Sequence, residues 1–361
     1  MQLGRFSPLC EQTYRNHFEK AFDFFSFNKQ LINQTVSSET VIALDPSFIP
    51  KAGKSTYGRG RFWSGVAGAT NWGLDICGFA VVDIVNNTAL HLNAWQTPSA
   101  EELAEKGLNL LTHYASLVTE NAAKFKEFSN YIVADAYFSK RPIVEAVKSG
   151  GLDFISRLRA DSVLRYKFEG APTGKKGAPR KFDGLVDVND FNPNRFSLDL
   201  SNEEITIYSL VVYSQAFRMD IKLAIAIFYK NGKETGRKMY FSTDLKQAGE
   251  KIVRYYQARF QIEFLYRDAK QHTGLTNCQA RGKHKLDFHF NAALTAVNLA
   301  KNDWLSTREN KDKSFSMSDY KTQYNNTLML ERFMCMFAIN PNTPKNQKIF
   351  KELLIYGRIA A

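Results

Sequence analysis

Two aspartates stand directly after strongly apolar runs, where their side chains could bind a metal ion together. Asp45 follows residues 41–44 and Asp135 follows residues 131–134. The carboxyl ends of neighbouring strands gather at one edge of an open α/β sheet, where such folds bind ligands. Two carboxylates brought together repel each other, and they stay ionised most easily when they share a hard divalent cation. Aspartates that end strands are also common turn formers, so these two residues alone leave both interpretations open.

A polar stripe in residues 255–271 (YYQARFQIEFLYRDAKQ) is the second candidate. Counted from Tyr256, Arg259, Glu263 and Lys270 follow at offsets of three, seven and fourteen. On a continuous α-helix these offsets fall within about 60° of one another. Stripes that pack into a core are apolar, whereas this one is polar and mixed in sign. Arg259 and Glu263 also form an ordinary i,i+4 pair, so a solvated salt-bridge face is the alternative.

The spacing Y-x2-R-x3-E-x6-K resembles the signature of a large group of DDE transposases encoded by bacterial insertion sequences. Three further blocks stand in the order that this family has. They are VIALDPSFIPKAGKSTYG around Asp45, YIVADAYFSKRPIVEAV around Asp135, and QARGKHKLDFHFNAALTAVNLAK after the glutamate helix. The resemblance covers residues 38–302, and the blocks together make it specific.

The resemblance implies an α/β fold of the ribonuclease H-like type. Such a fold has a mixed sheet with the first aspartate on its first strand, the second aspartate just after the fourth strand, and the glutamate on a later helix. By this similarity Asp45, Asp135 and Glu263 are the catalytic triad and the ligands of two Mg²⁺ or Mn²⁺ ions. Hard cations prefer anionic oxygen ligands, which is why this chemistry needs carboxylates.

The same resemblance implies a reaction and its partners. Double-stranded DNA would be cleaved at the terminal inverted repeats of the element, and the 3′-hydroxyl would then be joined to target DNA. Tyr256, Arg259 and Lys270 would contact phosphates of the transposon end, which positions DNA without reading its sequence. Because two ends must be held together, a homodimer is expected in the synaptic complex by family analogy.

The composition agrees with a folded protein that binds a polyanion. The 361 residues carry 48 Lys+Arg against 36 Asp+Glu, a formal net charge of +12 that favours nucleic acid as the partner. A hydrophobic content of 44% excludes general disorder, and no apolar run approaches the ~20 residues that span a bilayer. The four cysteines form no C-x-x-C pair, so we expect reduced thiols in a cytoplasmic, nucleoid-associated bacterial protein.

Hydrophobic periodicity and turn signals predict the elements that must position these residues. The first part of the chain should begin with one or two helices over 8–34. We then expect strands over 41–44, 72–84, 88–95, 131–134 and 153–158, with helices over 99–128 and 139–148. Further along, we expect short strands over 205–212, 222–229 and 237–241, followed by helices over 246–272, 285–305 and 316–339. Pro46 is expected to stop the first strand, and 51–64 is expected to be a basic loop.

These elements predict five segments along the chain. They are a short helical N-terminal segment (1–37), the first part of the core (38–159), a β-rich insertion before the glutamate helix (160–245), the second part of the core (246–305) and a helical C-terminal region (306–361).

Weaker signals receive simpler interpretations. The run 53–56 resembles the end of a P-loop, but Phe48 stands where the first glycine should be, so we expect no nucleotide cofactor. Asp75 and Asp83 are expected on a polar strand face, and Glu145 on a solvent-exposed helix face. Basic residues that are candidates for DNA contact, or alternatively a solvated surface, are Lys51, Lys54, Arg59, Arg61, Arg157, Arg159, Arg165, Lys167 and the loop 174–181.

Two features depart from the family. All four tryptophans lie outside 160–245, so the sequence does not predict hairpin chemistry that stacks a flipped base on a tryptophan of the insertion. Only 44 residues precede Asp45, which fits either a truncated copy or a protein that recognises DNA ends elsewhere. Two other functions therefore stay open: a catalytically silent DNA-binding remnant, and a ribonuclease H-like structure-selective nuclease that does not join strands.

Overall fold

The computed structural model of the chain describes residues 7–170, 179–306 and 314–359. Two compact units divide the chain: Val36–Phe264 is one, and Met1–Thr35 together with Leu265–Ala361 is the other. Within the described residues, every strand belongs to the first unit. The strands are β1 (Thr40–Pro50), β2 (Gly60–Ser64), β3 (Ala69–Asp83), β4 (Thr88–Gln96), β5 (Tyr131–Ala134), β6 (Asp153–Arg157), β7 (Leu164–Lys167), β8 (Phe182–Leu185), β9 (Ser197–Ser201), β10 (Ile205–Ser214), β11 (Met219–Lys230) and β12 (Lys233–Ser242).

Five of these strands have the topology of a ribonuclease H-like core. β1 pairs antiparallel with β3, and β3 pairs antiparallel with β4. On its other edge β1 pairs parallel with β5, which pairs parallel with β6. The resulting order β4-β3-β1-β5-β6 confirms the predicted mixed sheet.

The β-rich stretch after β6 extends this same sheet. β12 pairs antiparallel with β6, and the order continues through β11, β10 and β7 to β8, with β9 paired to β10. Three strands predicted in this stretch are confirmed as β10, β11 and β12, each a few residues longer than its apolar run.

Two predictions about the start of the core were wrong. β1 does not stop at Pro46 but continues to Pro50, paired with β3 along its whole length. Its parallel partner β5 covers only Ile42–Leu44, so beyond this point β1 has an edge where a proline, which has no N–H to donate, is tolerated. The segment 51–64 is not all loop, because its last five residues form β2.

The helices cover the sheet in the first unit and form most of the second unit. Those described are α1 (Glu11–His17), α2 (Phe24–Thr35), α3 (Ala100–Glu105), α4 (Leu110–Phe125), α5 (Arg141–Ser149), α6 (Gly249–Ala258), α7 (Gln261–His272), α8 (Lys283–Ser306), α9 (Met317–Met336) and α10 (Pro344–Leu354). None of them is long and apolar enough to cross a membrane.

The core of the first unit lies between the sheet and the pair α4 and α5. Phe79 and Phe125 stack with ring centroids 4.6 Å apart, and Phe138 is fully buried beside Tyr114. Each such side chain contributes about 1.5–3 kcal/mol through burial. The predicted capping signal is present, since the Ser99 hydroxyl accepts from the Glu102 N–H at the start of α3. This core fixes β1 and β5, the two strands that carry the candidate aspartates.

In the helical unit, α2 packs on α8 through buried amide side chains. Asn28 donates to the Thr295 hydroxyl at 3.0 Å and accepts from the Asn298 amide at 3.0 Å. Buried polar groups that are fully hydrogen-bonded fix one arrangement of two helices more firmly than apolar contacts alone. The predicted helices over 8–34, 285–305 and 316–339 are confirmed here.

Candidate active site

The structure brings Asp45 and Asp135 to neighbouring positions on adjacent parallel strands. Leu44 of β1 is in register with Ala134 of β5, and each aspartate is the next residue along its strand. Adjacent strands lie about 4.8 Å apart, and alternation directs both side chains to the same face of the sheet. The sequence therefore predicted this pairing correctly.

The electrostatics of Asp45 indicate a crowded acidic site. Burial raises the pKa of Asp45 from its ordinary value of 3.8 to about 8. Arg259 opposes this rise, whereas Asp135, Glu263 and Asp75 add to it by like-charge repulsion. Three more carboxylates thus act on Asp45, so a second cation beside Arg259 would favour its ionised form.

Glu263 reaches this site from the first turn of α7. The continuous helix expected over 246–272 is two helices, with a joint at Arg259 and Phe260. At this joint, i→i−3 bonds such as Ile262 N–H to the Arg259 carbonyl (3.1 Å) replace the α-helical pattern. The angular positions calculated for residues on one straight helix therefore do not apply to residues on opposite sides of the joint.

The Arg259 side chain lies between the first aspartate and the glutamate. Its Nη2 donates to Glu263 Oε1 at 3.0 Å, which confirms the predicted i,i+4 pair. Its Nη1 lies 3.7 Å from Asp45 Oδ1. The side chain is only 11% exposed, and its Nε has no hydrogen-bond partner among the described residues. A buried guanidinium with a donor to spare can still bind an anionic oxygen.

Tyr256 stands beside this guanidinium on α6. The Arg259 guanidinium carbon lies 5.7 Å from the centre of its ring, and Tyr240 packs on the ring at 5.0 Å. Burial raises the pKa of Tyr256, while Arg259 and Arg157 lower it, so Arg157 also lies close to this phenol. Lys270 follows on α7, in the helical unit.

Asp135 is fixed by the short helical turn that it begins. Its Oδ1 accepts from the Tyr137 N–H at 3.0 Å, as an N-cap does. The Tyr137 ring is 42% exposed, and the Lys140 ammonium lies 4.1 Å from its centre. The carboxylate keeps its second oxygen for another ligand.

Asp75 is a nearby carboxylate that the sequence analysis assigned to a polar strand face, and this prediction was wrong. It is buried rather than on a polar face, and it accepts from the Thr97 hydroxyl at 2.6 Å and the Tyr114 hydroxyl at 3.0 Å. β3 is buried on both faces from Gly73 onward, so alternation carries no signal there. Asp83, also buried, instead accepts from the N–H groups of the following turn. Glu145 is exposed, as expected, and pairs with Arg141.

Two of the other basic candidates for DNA contact already have acidic neighbours. Lys167 pairs with Asp220 at 2.5 Å, and Arg159 lies 3.3 Å from Asp161. Of the loop 174–181, only residues 179–181 belong to the described part. A role for these residues in binding DNA stays a prediction.

The donor set of the site suits a hard divalent cation. Asp45, Asp135 and Glu263 offer carboxylate oxygens, which are the ligands that Mg²⁺ and Mn²⁺ prefer. In the described residues, no group of three or more His, Cys, Asp or Glu side chains is gathered closely enough to hold a metal ion. The Arg259 guanidinium lies between Asp45 and Glu263 and supplies a positive charge there.

A ribonuclease H-like sheet with acidic residues on β1, after β5 and on a later helix has the layout of nucleic-acid-cleaving enzymes of this fold. Two family models match the chain. One, described as a transposase DDE domain, matches residues 112–299, and the other, described as a DDE superfamily endonuclease, matches residues 27–190. The first contains Asp135 and Glu263, and the second contains Asp45 and Asp135. No curated protein matches the chain.

The chain therefore belongs to the DDE transposase family. Enzymes of this superfamily are transposases and endonucleases that act on DNA and use divalent metal ions. The family predicted from the sequence is therefore confirmed.

Proposed function

We propose that this protein is a transposase of the Y-R-E-K group that cleaves DNA at the inverted-repeat ends of its element and joins the 3′-hydroxyl to target DNA. Asp45, Asp135 and Glu263 are the catalytic residues and hold two divalent ions, Mg²⁺ or Mn²⁺. The observation that carries the proposal is the like-charge coupling at Asp45, whose pKa is raised by Asp135 and Glu263 in addition to burial. Such crowding is unfavourable in a structural site and useful in a site that binds cations.

The ions would supply Lewis-acid stabilisation of the attacking and leaving oxygens in an in-line displacement at phosphorus. The chain's own residues have separate tasks. Arg259 holds Glu263 in place without DNA, and its remaining donors bind phosphate oxygens beside the scissile bond. Tyr256 packs beside this guanidinium and limits its directions. Lys270 contributes a further phosphate contact, as the resemblance to the Y-R-E-K group implies.

The partners follow from this chemistry. The substrate is double-stranded DNA, first at the terminal inverted repeats and then at the target. Two ends cut in one reaction require two active sites, so the synaptic complex is a homodimer. We expect the protein to work in the bacterial cytoplasm, at the nucleoid.

A cleavage assay tests the proposal. The substrate is a duplex carrying the gene's own flanking repeat, with Mg²⁺ or Mn²⁺, and the proteins are wild type, Glu263→Gln and the matched control Glu145→Gln. We expect a nick at the repeat boundary in wild type and in the control, and none in Glu263→Gln. Binding without a nick in all three proteins would leave the DNA-binding remnant. Nicking of branched DNA without the repeat, and without strand joining, would favour the structure-selective nuclease.

A further inference from the structure

Two tryptophans lie exposed on the β2–β3 hairpin at the edge of the sheet. Trp63 on β2 is 63% exposed, and Trp72 on β3 is 55% exposed. Tryptophan is highly buried on average in folded proteins, because its ring removes a large apolar area from water. An edge hairpin that keeps two such rings in solvent has a surface suited to an aromatic or apolar ligand.

Cationic side chains are interleaved with these rings. The register places Arg61 opposite Trp72 and Thr70 opposite Trp63, so the two rings are diagonal neighbours on one face. The Arg59 guanidinium carbon lies 4.7 Å from the centre of the Trp72 ring, within the range of a cation–π contact. We call Arg59, Arg61, Trp63 and Trp72 the hairpin platform.

The charge around the hairpin platform has one sign. Residues 51–74 contain two lysines and two arginines but no aspartate or glutamate. This favours a polyanion over a second copy of the same basic surface. Every nucleobase has a π-face, and cationic grooves with exposed aromatic rings bind single-stranded DNA with little sequence preference. In a duplex the base faces are covered by neighbouring bases, so the platform fits unpaired bases.

The platform is held rigidly against the rest of the sheet. The Arg59 Nε donates to the Lys51 carbonyl at 2.9 Å, and the Gln96 amide donates to the Tyr57 carbonyl at 2.8 Å. A Cβ at Gly73 would lie 2.5 Å from the Ile49 carbonyl oxygen, so only glycine permits this approach of β3 to β1. A surface fixed in advance loses less conformational freedom when a ligand binds.

The position of the platform relates it to the candidate active site in the same unit. Asp45 is opposite Gly78 on β3, and Trp72 lies six residues further along this strand. At about 3.4 Å per residue the separation is roughly 20 Å, and six residues of alternation return the side chain to the same face. At the ~3.4 Å rise per nucleotide of a stacked strand, as in a duplex, about six nucleotides would join the two places.

We infer that the hairpin platform binds unpaired bases of a DNA strand that extends from the candidate active site, with the rings of Trp63 and Trp72 stacking on the bases. The inference rests on the proposed DNA-cleaving function, since cutting and exchanging strands produces unpaired segments. The ligand class is single-stranded DNA, bound through base faces and phosphates rather than through a base sequence.

The test measures fluorescence anisotropy of a labelled oligothymidylate of twelve nucleotides and of an abasic oligonucleotide of the same length. We expect wild type to bind the oligothymidylate at least about tenfold more tightly, because only bases can stack. The double variant Trp63→Leu/Trp72→Leu should lose at least about tenfold for oligothymidylate and little for the abasic strand. The double variant Trp63→Phe/Trp72→Phe should retain most of the affinity.

Trp95→Phe is the matched control, since Trp95 packs against Phe79 at 5.5 Å and is not on the platform. All variants should keep the wild-type circular dichroism spectrum. Equal affinity for the two oligonucleotides, or full binding by the leucine variant, would overturn the inference. So would a change from dimer to monomer in the leucine variant with unchanged DNA binding, because the rings would then form a protein interface.

This test separates the inference from the proposed function. Glu263→Gln should lose nicking but bind oligothymidylate like wild type. A wild-type protein that binds the oligonucleotide through both tryptophans and does not nick would contradict only the transposase proposal.

Discussion

Two ionisable groups, one in each unit, have pKa values that burial moves to about 8 from opposite sides. Burial raises the pKa of Asp45 from 3.8 to about 8. Burial lowers the pKa of Lys301, on α8, from 10.5 to about 8. The two groups differ in what surrounds them and in how far water reaches them.

Asp45 faces the Arg259 guanidinium and three carboxylates, whereas Lys301 faces one carboxylate, Asp268, and one guanidinium, Arg267. The main neighbour of Lys301 is Asp268, which is buried and also lies 3.3 Å from the Arg267 guanidinium. Lys301 is 4% exposed, and the Asp45 side chain is 19% exposed. A shifted pKa therefore does not identify a functional group by itself. The excess of like-charged neighbours and the greater access to solvent distinguish Asp45 from Lys301.

The largest expected effect is on the rate of nicking, which should depend on Asp45 and not on Lys301. Asp45→Asn should lower the rate of nicking by at least about 10³-fold, since metal ions at such sites supply several kcal/mol of stabilisation. Lys301→Met should change the rate by less than about threefold when the assay is run well below the unfolding temperature. Initial nicking rates on the repeat duplex measure both. A comparable loss in Lys301→Met would remove the distinction drawn between the two groups.

The second effect concerns stability. Asp268→Asn leaves the Lys301 ammonium buried without its carboxylate and should cost about 3–5 kcal/mol of unfolding free energy. Lys301→Met together with Asp268→Leu should be close to neutral, because an apolar pair replaces both charges. Urea unfolding followed by circular dichroism measures both changes. Equal losses in the two proteins would mean that the charges do not act as a pair.

The smallest expected effect is on how stability changes with pH, where Asp45 and Lys301 should act in opposite directions. Between pH 3.8 and about 8 the folded protein holds a proton on Asp45 that the unfolded chain has released, so stability falls as pH rises. Between about 8 and 10.5 the unfolded chain holds a proton on Lys301 that the folded protein lacks, so stability rises with pH.

Thermal unfolding without metal measures these slopes. Asp45→Asn should remove the fall on the acidic side. Lys301→Met should remove the rise on the alkaline side. Glu145→Gln, at an exposed ion pair, should leave both slopes unchanged. A wild-type profile that is flat across both ranges would contradict the comparison.

Much of the sheet and part of the site could be predicted from the sequence. The runs before Asp45 and Asp135 are wholly apolar because parallel strands are covered on both faces, and this property marks β1 and β5 as interior strands of the sheet. Strand pairing in the insertion was not predictable, because short strands with turns do not specify which edge they join. That β12 pairs with β6 follows from tertiary structure.

The incorrect predictions have local physical causes. Pro46 inside β1 is tolerated because the parallel partner has already ended, which the sequence of β1 alone does not reveal. The joint at Arg259 and Phe260 follows no glycine or proline, so residue propensity gives no warning of it. Asp75 was missed since its partners Thr97 and Tyr114 are distant in sequence. The five-segment division of the chain stays a prediction.

The continuous sheet has a consequence for how this protein can change in evolution. The insertion begins where β6 ends, and its strands add outward through β12, β11, β10 and β7 to β8. Each added strand lengthens the sheet by about 4.8 Å, so these five strands extend it by roughly 24 Å. Hairpins can be gained or lost at the β8 end while β1 and β5 keep their register. A lineage could thus change the length of the sheet one hairpin at a time and inherit the same edge with Asp45 and Asp135 throughout.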